Sequence, residues 1–190
     1  MTAIVLIDLQ REFFDPDGVL KERYIPPVPI LSSIQYLVQY GRSNNYPIIW
    51  IRAEYSPTIE EGRKGSGATH TGRPCCVKGS ILAEFHSDLP IAAGDLILTK
   101  HYYSGFVGTV LKTHLRSQNI THLILGGVTL KNCVMATLRD AVQLGFTATI
   151  VPECTAMSNM EDFEDKLQEC QAFATITDLA TLTHPLQPPF

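Results

Sequence analysis

The sequence lacks the features that mark nucleic-acid-binding and membrane-spanning proteins. Basic side chains are fewer than acidic ones, 15 Lys and Arg against 19 Asp and Glu, and no local run of Lys and Arg offers a field for phosphate backbones. No apolar segment approaches the roughly 20 residues that cross a bilayer. We therefore predict a small-molecule substrate, with no nucleic acid and no membrane among the partners.

Cysteine is scarce and odd in number. The five cysteines fit no disulfide framework, and a chain of 190 residues with 45% hydrophobic content buries enough core to fold without cross-links. The apolar N-terminus has no positive region before it, so no signal peptide is expected. These features predict a single domain over residues 1–190 in the cytoplasm. The cysteines are Cys75, Cys76, Cys133, Cys154 and Cys170.

Short apolar runs alternate along the chain with segments of helical periodicity. This alternation predicts right-handed crossovers and an α/β fold with a Rossmann-like, doubly wound, mostly parallel six-stranded sheet and helices on both faces. The segment 57–79 is rich in turn-forming residues and is predicted to be a long loop. Strands are predicted at Thr2–Ile7, Ile48–Ile51, Leu96–Thr99, His122–Leu125, Thr147–Val151 and Ala174–Ile176, and helices in segments 30–38, 107–115, 134–142 and 163–173.

Three reactive side chains, Asp8, Lys100 and Cys133, follow predicted strands. Ligands of open parallel sheets bind beyond the carboxyl ends of the strands, so this convergence predicts an active site, although each residue alone is also compatible with a structural role. Gly126 and Gly127 would let the chain turn sharply into a helix whose first turn contains Cys133. The helix dipole and Lys100 would then favour the thiolate, backbone N–H groups would stabilise an oxyanion, and Asp8 would carry the proton.

Residues that could contact the substrate are less distinctive. Aromatic side chains would line an apolar site or pack in the core, and a charged pair after the second strand would meet a polar group or form a surface salt bridge. His70, Cys75, Cys76 and His86 match no standard zinc spacing, so neither a metal nor an organic cofactor is predicted. The aromatic candidates are Phe14, Tyr24, Trp50, Tyr103 and Phe106, and the charged pair is Arg52 and Glu54.

Six short motifs occur in a characteristic order: 8–10, 13–16, 90–100, 103–106, 127–129 and 133–134. Their sequences and spacing resemble the isochorismatase-like cysteine hydrolases, a superfamily that includes nicotinamidases, ureidoacrylate amidohydrolases and N-carbamoylsarcosine amidohydrolases. The resemblance covers nearly the whole chain. Together the motifs are far more specific than any one of them alone.

The resemblance implies that Asp8, Lys100 and Cys133 form an Asp-Lys-Cys triad and that the Val128–Thr129 bond is a non-proline cis peptide. Thr129 and Cys133 would supply oxyanion N–H groups. It implies hydrolysis of a C–N bond in a small amide, ureido or carbamoyl compound through a thioester, and it is compatible with a homo-oligomer. Nicotinamidases of the family bind a metal through Asp and His after the second strand, whereas this chain has Arg52 and Glu54 there, which disfavours a metal and nicotinamide as substrate.

Other functions remain as alternatives. A vinyl-ether hydrolase of isochorismatase type would use Asp8 as general acid and leave Cys133 incidental. A binding protein without activity would have no need for all three triad side chains. Dinucleotide binding is disfavoured because no G-x-G-x-x-G follows the first strand.

Overall fold

The computed structural model describes residues 1–20, 30–56, 74–157 and 162–183. A π-helical turn, Leu130–Val134, and two 3₁₀ turns, Arg11–Phe13 and Ile81–Ala83, accompany the main elements. The strands are β1 (Thr2–Ile7), β2 (Ile48–Ala53), β3 (Leu96–Lys100), β4 (His122–Val128), β5 (Thr147–Ala156) and β6 (Thr175–Ile176). The helices are α1 (Ile30–Ser43), α2 (Leu111–Ser117), α3 (Met135–Gln143), α4 (Phe163–Gln171) and α5 (Leu179–Thr183).

The six strands form one sheet in the order β3-β2-β1-β4-β5-β6, and every described strand pair is parallel. The chain starts at the centre with β1, builds outward to β3, and then returns to β4 on the other side of β1. The strand order therefore reverses between β1 and β4, and such a switch point is where doubly wound sheets bind their ligands. The predicted fold class is confirmed.

The central strand β1 is buried on both faces, which explains its unbroken apolar sequence. Ala3, Val5 and Ile7 face the cluster that α2, α3 and α4 cover, whereas Ile4 and Leu6 face the cluster that α1 and α5 cover. Helices therefore shield both faces of the sheet. This arrangement leaves the carboxyl edge of the strands as the place where polar side chains can meet.

Several predicted boundaries differ from those observed. β2, β4 and β5 continue two to five residues beyond their predicted ends because their hydrogen-bonded pairing with neighbouring strands continues there. Val107 precedes α2 and is exposed, so it is not part of that helix.

Most of the predicted loop, together with Tyr24 and His70, lies outside the described residues. No helix within the described ranges is long and apolar enough to span a membrane.

Gly126 and Gly127 were expected to form a sharp turn, but both lie inside β4, and the chain turns only after Val128. Gly127 has φ 122°, and a Cβ atom there would lie 2.0 Å from the carbonyl oxygen of Ile7 on β1. Glycine is therefore required by the close approach of two strand backbones beside Asp8.

We expect Gly127→Ala to lower the free energy of unfolding by about 4 kcal/mol or more, because the methyl group collides with backbone that cannot move aside and the φ value is strained. Gly94→Ala is the matched control, since a Cβ atom there meets no heavy atom within 4 Å. Its effect should stay within about 0.5 kcal/mol. Urea unfolding of both variants measures the difference, and equal midpoints would contradict the packing described for Gly127.

Candidate active site

Asp8 begins the site directly after the last residue of β1. Its backbone N–H donates to Ile51 O at 2.8 Å, and its φ of 56° lies in the left-handed region, which Asp tolerates better than most residues. Gln10, fully buried, fixes the segment: Nε2 donates to Ala53 O at 2.8 Å and to Ala83 O at 2.7 Å, and Oε1 accepts from Ala53 N at 2.8 Å. Asp8 therefore lies on a backbone that is tied to the end of β2.

Lys100 is the last residue of β3 and its side chain is completely buried. Its ammonium lies 2.8 Å from Asp8 Oδ2, donates to Cys133 Sγ at 3.4 Å, and donates to Tyr102 O at 3.1 Å. Three acceptors thus surround one cation, which fits the three donors of an ammonium group. Residues from β1, β3 and the segment after β4 meet at this nitrogen.

Cys133 lies in the π-helical turn Leu130–Val134 that precedes α3, and it is 8% exposed. The Val128–Thr129 peptide bond before this turn is cis. Thr129 O accepts hydrogen bonds from Asn132 N at 3.1 Å and from Val134 N at 3.2 Å, so the turn is closed on itself. Cys133 is thereby held at the base of a helix, facing Lys100.

The pKa values of both residues in the buried ion pair are shifted from their ordinary values. Burial raises the pKa of Asp8 above its ordinary value, although Lys100 and the Cys133 thiol act in the opposite direction. Burial alone would lower the pKa of Lys100, but the carboxylate of Asp8 and then Cys133 raise it well above its ordinary value. Lys100 is therefore a permanent cation, and Asp8 is a stronger base than a solvated carboxylate.

The prediction that its surroundings favour the thiolate form of Cys133 is wrong. Burial and the neighbouring Asp8 carboxylate raise the pKa of Cys133 well above its ordinary value, and the opposing effect of Lys100 is smaller. One positive and one negative group adjoin the sulfur, so the positive group cannot act alone. The Cys133 side chain is therefore a neutral thiol at pH 7.

We expect alkylation of Cys133 by iodoacetamide to keep accelerating with pH well beyond about 8.5, where an ordinary thiol levels off. Only the thiolate reacts, and a raised pKa postpones its formation. Peptide mass spectrometry follows Cys133 separately, and the urea-unfolded chain provides the control with an ordinary profile. A plateau below pH 7 in the folded protein would contradict the neutral resting thiol.

Two buried polar atoms at the site lack hydrogen-bond partners among the described residues: Asp8 Oδ1 and Thr129 Oγ1. Buried oxygens are normally paired, and unpaired ones occur where a ligand or water completes the site. Asp8 directly follows β1, and Thr129 directly follows β4 and the cis peptide bond. Both therefore flank the switch point of the sheet.

Two of the predicted aromatic contacts, Trp50 and Phe106, lie in the core, whereas Phe14 is partly buried and packs against it. Trp50 is fully buried, and its indole N–H donates to Asp95 Oδ2 at 2.8 Å. Phe106 stacks on Phe146 with ring centroids 5.9 Å apart, and Phe14 packs edge-on against His86. Tyr103 differs, since its ring is 46% exposed, and burial and then Cys133 raise the pKa of its hydroxyl. Of the described aromatic candidates, Tyr103 alone is exposed.

The charged pair after β2 does not fit a metal. Arg52 Nη2 lies 3.0 Å from Glu54 Oε1, and Arg52 Nη1 lies 2.7 Å from Glu84 Oε2. A guanidinium already occupies the space between two carboxylates and would repel a divalent cation. Within the described ranges no group of three His, Cys, Asp or Glu side chains is placed to hold a metal ion.

Three buried groups near the site had no predicted role. Gln10 was part of a motif, but nothing in the sequence indicated its bonds to Ala53 and Ala83. Thr137 lies four residues after Cys133, and this helical spacing is a signal that could have identified it. Cys76 has φ 45°, and its pKa is raised first by the hydrogen bond with Cys75, then by burial, and also by Asp8.

Known proteins share this architecture and about a quarter of this sequence. The chain is 28% identical over 200 residues to a ureidoacrylate amidohydrolase of Cronobacter sakazakii, covering 90% of this chain and 86% of that protein. An N-carbamoylsarcosine amidase of Thermoplasma acidophilum is 25% identical with a TM-score of 0.78, covering 94% of this chain and 96% of the other. A pyrazinamidase of Pyrococcus horikoshii, solved with zinc, is 27% identical with a TM-score of 0.75 and coverage of 93% and 98%. The isochorismatase domain model matches residues 2–181, and the chain belongs to the isochorismatase family of hydrolases.

Proposed function

We propose that this protein is a cysteine amidohydrolase that cleaves a C–N bond of a small ureido, carbamoyl or amide compound. The observation that carries the proposal is the meeting of Asp8, Lys100 and Cys133 through one buried ammonium, 2.8 Å from the carboxylate and 3.4 Å from the sulfur. A nucleophile, a proton acceptor and a fixed cation in contact are the components that covalent acyl transfer needs. The amidohydrolase and amidase among the relatives support this reaction class.

In the first half of the reaction, Asp8 accepts the proton of the Cys133 thiol as Sγ attacks the carbonyl carbon of the substrate. The C–S bond forms while the carbonyl π electrons move onto oxygen. Backbone N–H groups of Thr129 and Cys133 stabilise that oxyanion. Asp8 then gives its proton to the departing nitrogen, the C–N bond breaks, and a thioester remains on Cys133.

In the second half, water attacks the thioester and Asp8 accepts a proton from it. The C–S bond breaks, Asp8 returns this proton to the sulfur, and the free acid departs. Lys100 keeps its charge throughout, because its pKa is raised far above neutrality by Asp8 and Cys133 although burial opposes this. Its role is to hold the carboxylate and the sulfur in register and to stabilise negative charge on either of them.

The raised pKa values of Asp8 and Cys133 suit this sequence of steps. A thiol that keeps its proton until the substrate arrives is protected from oxidation and alkylation. A carboxylate whose pKa is raised takes and returns a proton more readily at neutral pH than a solvated one. The ion pairs of Arg52 with Glu54 and Glu84 support a reaction without the metal that the family's nicotinamidases bind.

A substrate panel tests the proposal. Ammonia release is measured with ureido acids, N-carbamoyl amino acids, simple amides and nicotinamide, with and without EDTA, and isochorismate cleavage is followed in parallel. We expect ammonia from ureido or carbamoyl compounds, undiminished by EDTA. Cleavage of isochorismate with no ammonia from any compound would overturn the proposal and favour vinyl-ether hydrolysis with Asp8 as general acid.

A further inference from the structure

Thr137 lies in the first turns of α3 and is fully buried. Its hydroxyl donates to Cys133 O at 2.7 Å and accepts from Gly105 N at 2.9 Å. A threonine hydroxyl that bonds the carbonyl four residues earlier is common in helices and indicates no function alone. The second bond is different, because it joins the helix to a segment more than 30 residues away.

Gly105 belongs to the segment that follows Lys100, and this segment is pressed against the core. A Cβ atom at Gly105 would lie 2.6 Å from the Cδ1 atom of Ile51. Thr109 Oγ1 donates to Gly105 O at 2.6 Å, so the carbonyl side of this residue is bonded as well. The N–H of Gly105 is buried, and Thr137 provides its acceptor.

These contacts form a closed ring of hydrogen bonds and main chain that includes Cys133. Cys133 Sγ accepts from Lys100 Nζ, Lys100 Nζ also donates to Tyr102 O, and the chain continues from Tyr102 to Gly105. Gly105 N then donates to Thr137 Oγ1, which donates to Cys133 O. The side-chain end and the main-chain end of Cys133 are thus tied to the same short segment, at two points three residues apart.

We propose that Thr137 is a positioning residue that sets the distance between the Cys133 turn and the Lys100–Gly105 segment through both bonds of its hydroxyl. The inference rests on the proposed function for its effect on turnover. It concerns the placement of Cys133 Sγ against the Lys100 ammonium. No part of the reaction involves the hydroxyl itself.

The test compares Thr137→Val, which keeps the shape and removes both hydrogen bonds, with Thr137→Ser, which keeps the hydroxyl. We expect Thr137→Val to lower kcat about 10- to 100-fold with a smaller change in KM, since small displacements of reacting groups have effects of this size. Thr137→Ser should stay within about threefold of wild type, which is the rescue that a purely packing role would not give. Thr149→Val is the matched control, because its hydroxyl is bonded to His122 Nε2 at 3.1 Å near the amino ends of β4 and β5, whereas the site lies at the carboxyl ends of the strands.

Alkylation of Cys133 gives a second readout that needs no substrate. In Thr137→Val the pH profile of iodoacetamide alkylation should shift from that of wild type, because the contact between sulfur and ammonium changes, whereas Thr137→Ser and Thr149→Val should follow wild type. If Thr137→Val does not fold, Thr137→Ala replaces it in both measurements. Wild-type kcat and alkylation profile in the variant without the hydroxyl, or equal losses in Thr137→Ser, would overturn the proposal. A failure to find any substrate would count against the proposed function but leave the alkylation result decisive.

Discussion

Cys133→Ala is expected to reduce turnover of the ureido or carbamoyl substrate by about 10⁴-fold or more, because removal of a covalent nucleophile eliminates the thioester route. The fold should persist, since the side chain is small and Lys100 keeps Asp8 and Tyr102 O as partners. Ammonia release under saturating substrate is the measurement. Circular dichroism and a urea unfolding curve confirm that the loss is catalytic.

Cys170→Ala is the matched control for this change. Cys170 is also a buried cysteine, but it lies on α4 in the core and is not a member of the Asp8, Lys100 and Cys133 group. Its loss should cost about 1 kcal/mol of stability and leave kcat unchanged. Turnover that survives in Cys133→Ala would show that the cysteine is incidental and would favour acid catalysis by Asp8.

Lys100→Met is expected to lower the free energy of unfolding at pH 7 by about 3–5 kcal/mol and to reduce kcat by about 10²-fold or more. The substitution leaves the Asp8 carboxylate buried without its cation, so the pKa of Asp8 rises further. A carboxyl group whose pKa is raised in the folded state destabilises that state only where it would be ionised. The stability deficit relative to wild type should therefore shrink as the pH falls toward 4.

The double variant Asp8→Asn/Lys100→Met separates charge from packing. It removes both buried charges together, so we expect it to recover most of the stability lost in Lys100→Met, while turnover falls further because the proton acceptor is lost as well. Urea unfolding at pH 7 and pH 5 measures both variants. A single variant as stable as wild type at pH 7 would contradict a buried ion pair between Lys100 and Asp8.

The sequence predicted the sheet and the meeting of Asp8, Lys100 and Cys133 for a simple physical reason. Unbroken aliphatic runs indicate strands buried on both faces, and the carboxyl ends of parallel strands meet at one edge. The order of the strands could not come from the same pattern, because it depends on which strands pair. The observed order puts β1 beside β4 and so brings Asp8 next to the Cys133 turn.

What the sequence could not predict depended on contacts between distant segments. Gly127 does not form a turn. Glycine is required there because Ile7 O on the neighbouring strand leaves no room for a Cβ atom. Aromatic residues such as Trp50 often line binding pockets, but Trp50 is in the core, where its indole N–H donates a hydrogen bond to Asp95. The protonation state of Cys133 depends on the balance of burial, Asp8 and Lys100, whereas helix position and Lys100 alone predicted the thiolate.

Intact-protein mass spectrometry of the enzyme quenched with acid during turnover shows whether Cys133 forms a covalent bond with the substrate. We predict an adduct equal to the mass of the substrate less its departing amine, located by peptide mapping on Cys133 and absent from Cys133→Ala. Turnover by wild type with no adduct at any quench time, together with an active Cys133→Ala, would contradict covalent catalysis at this site.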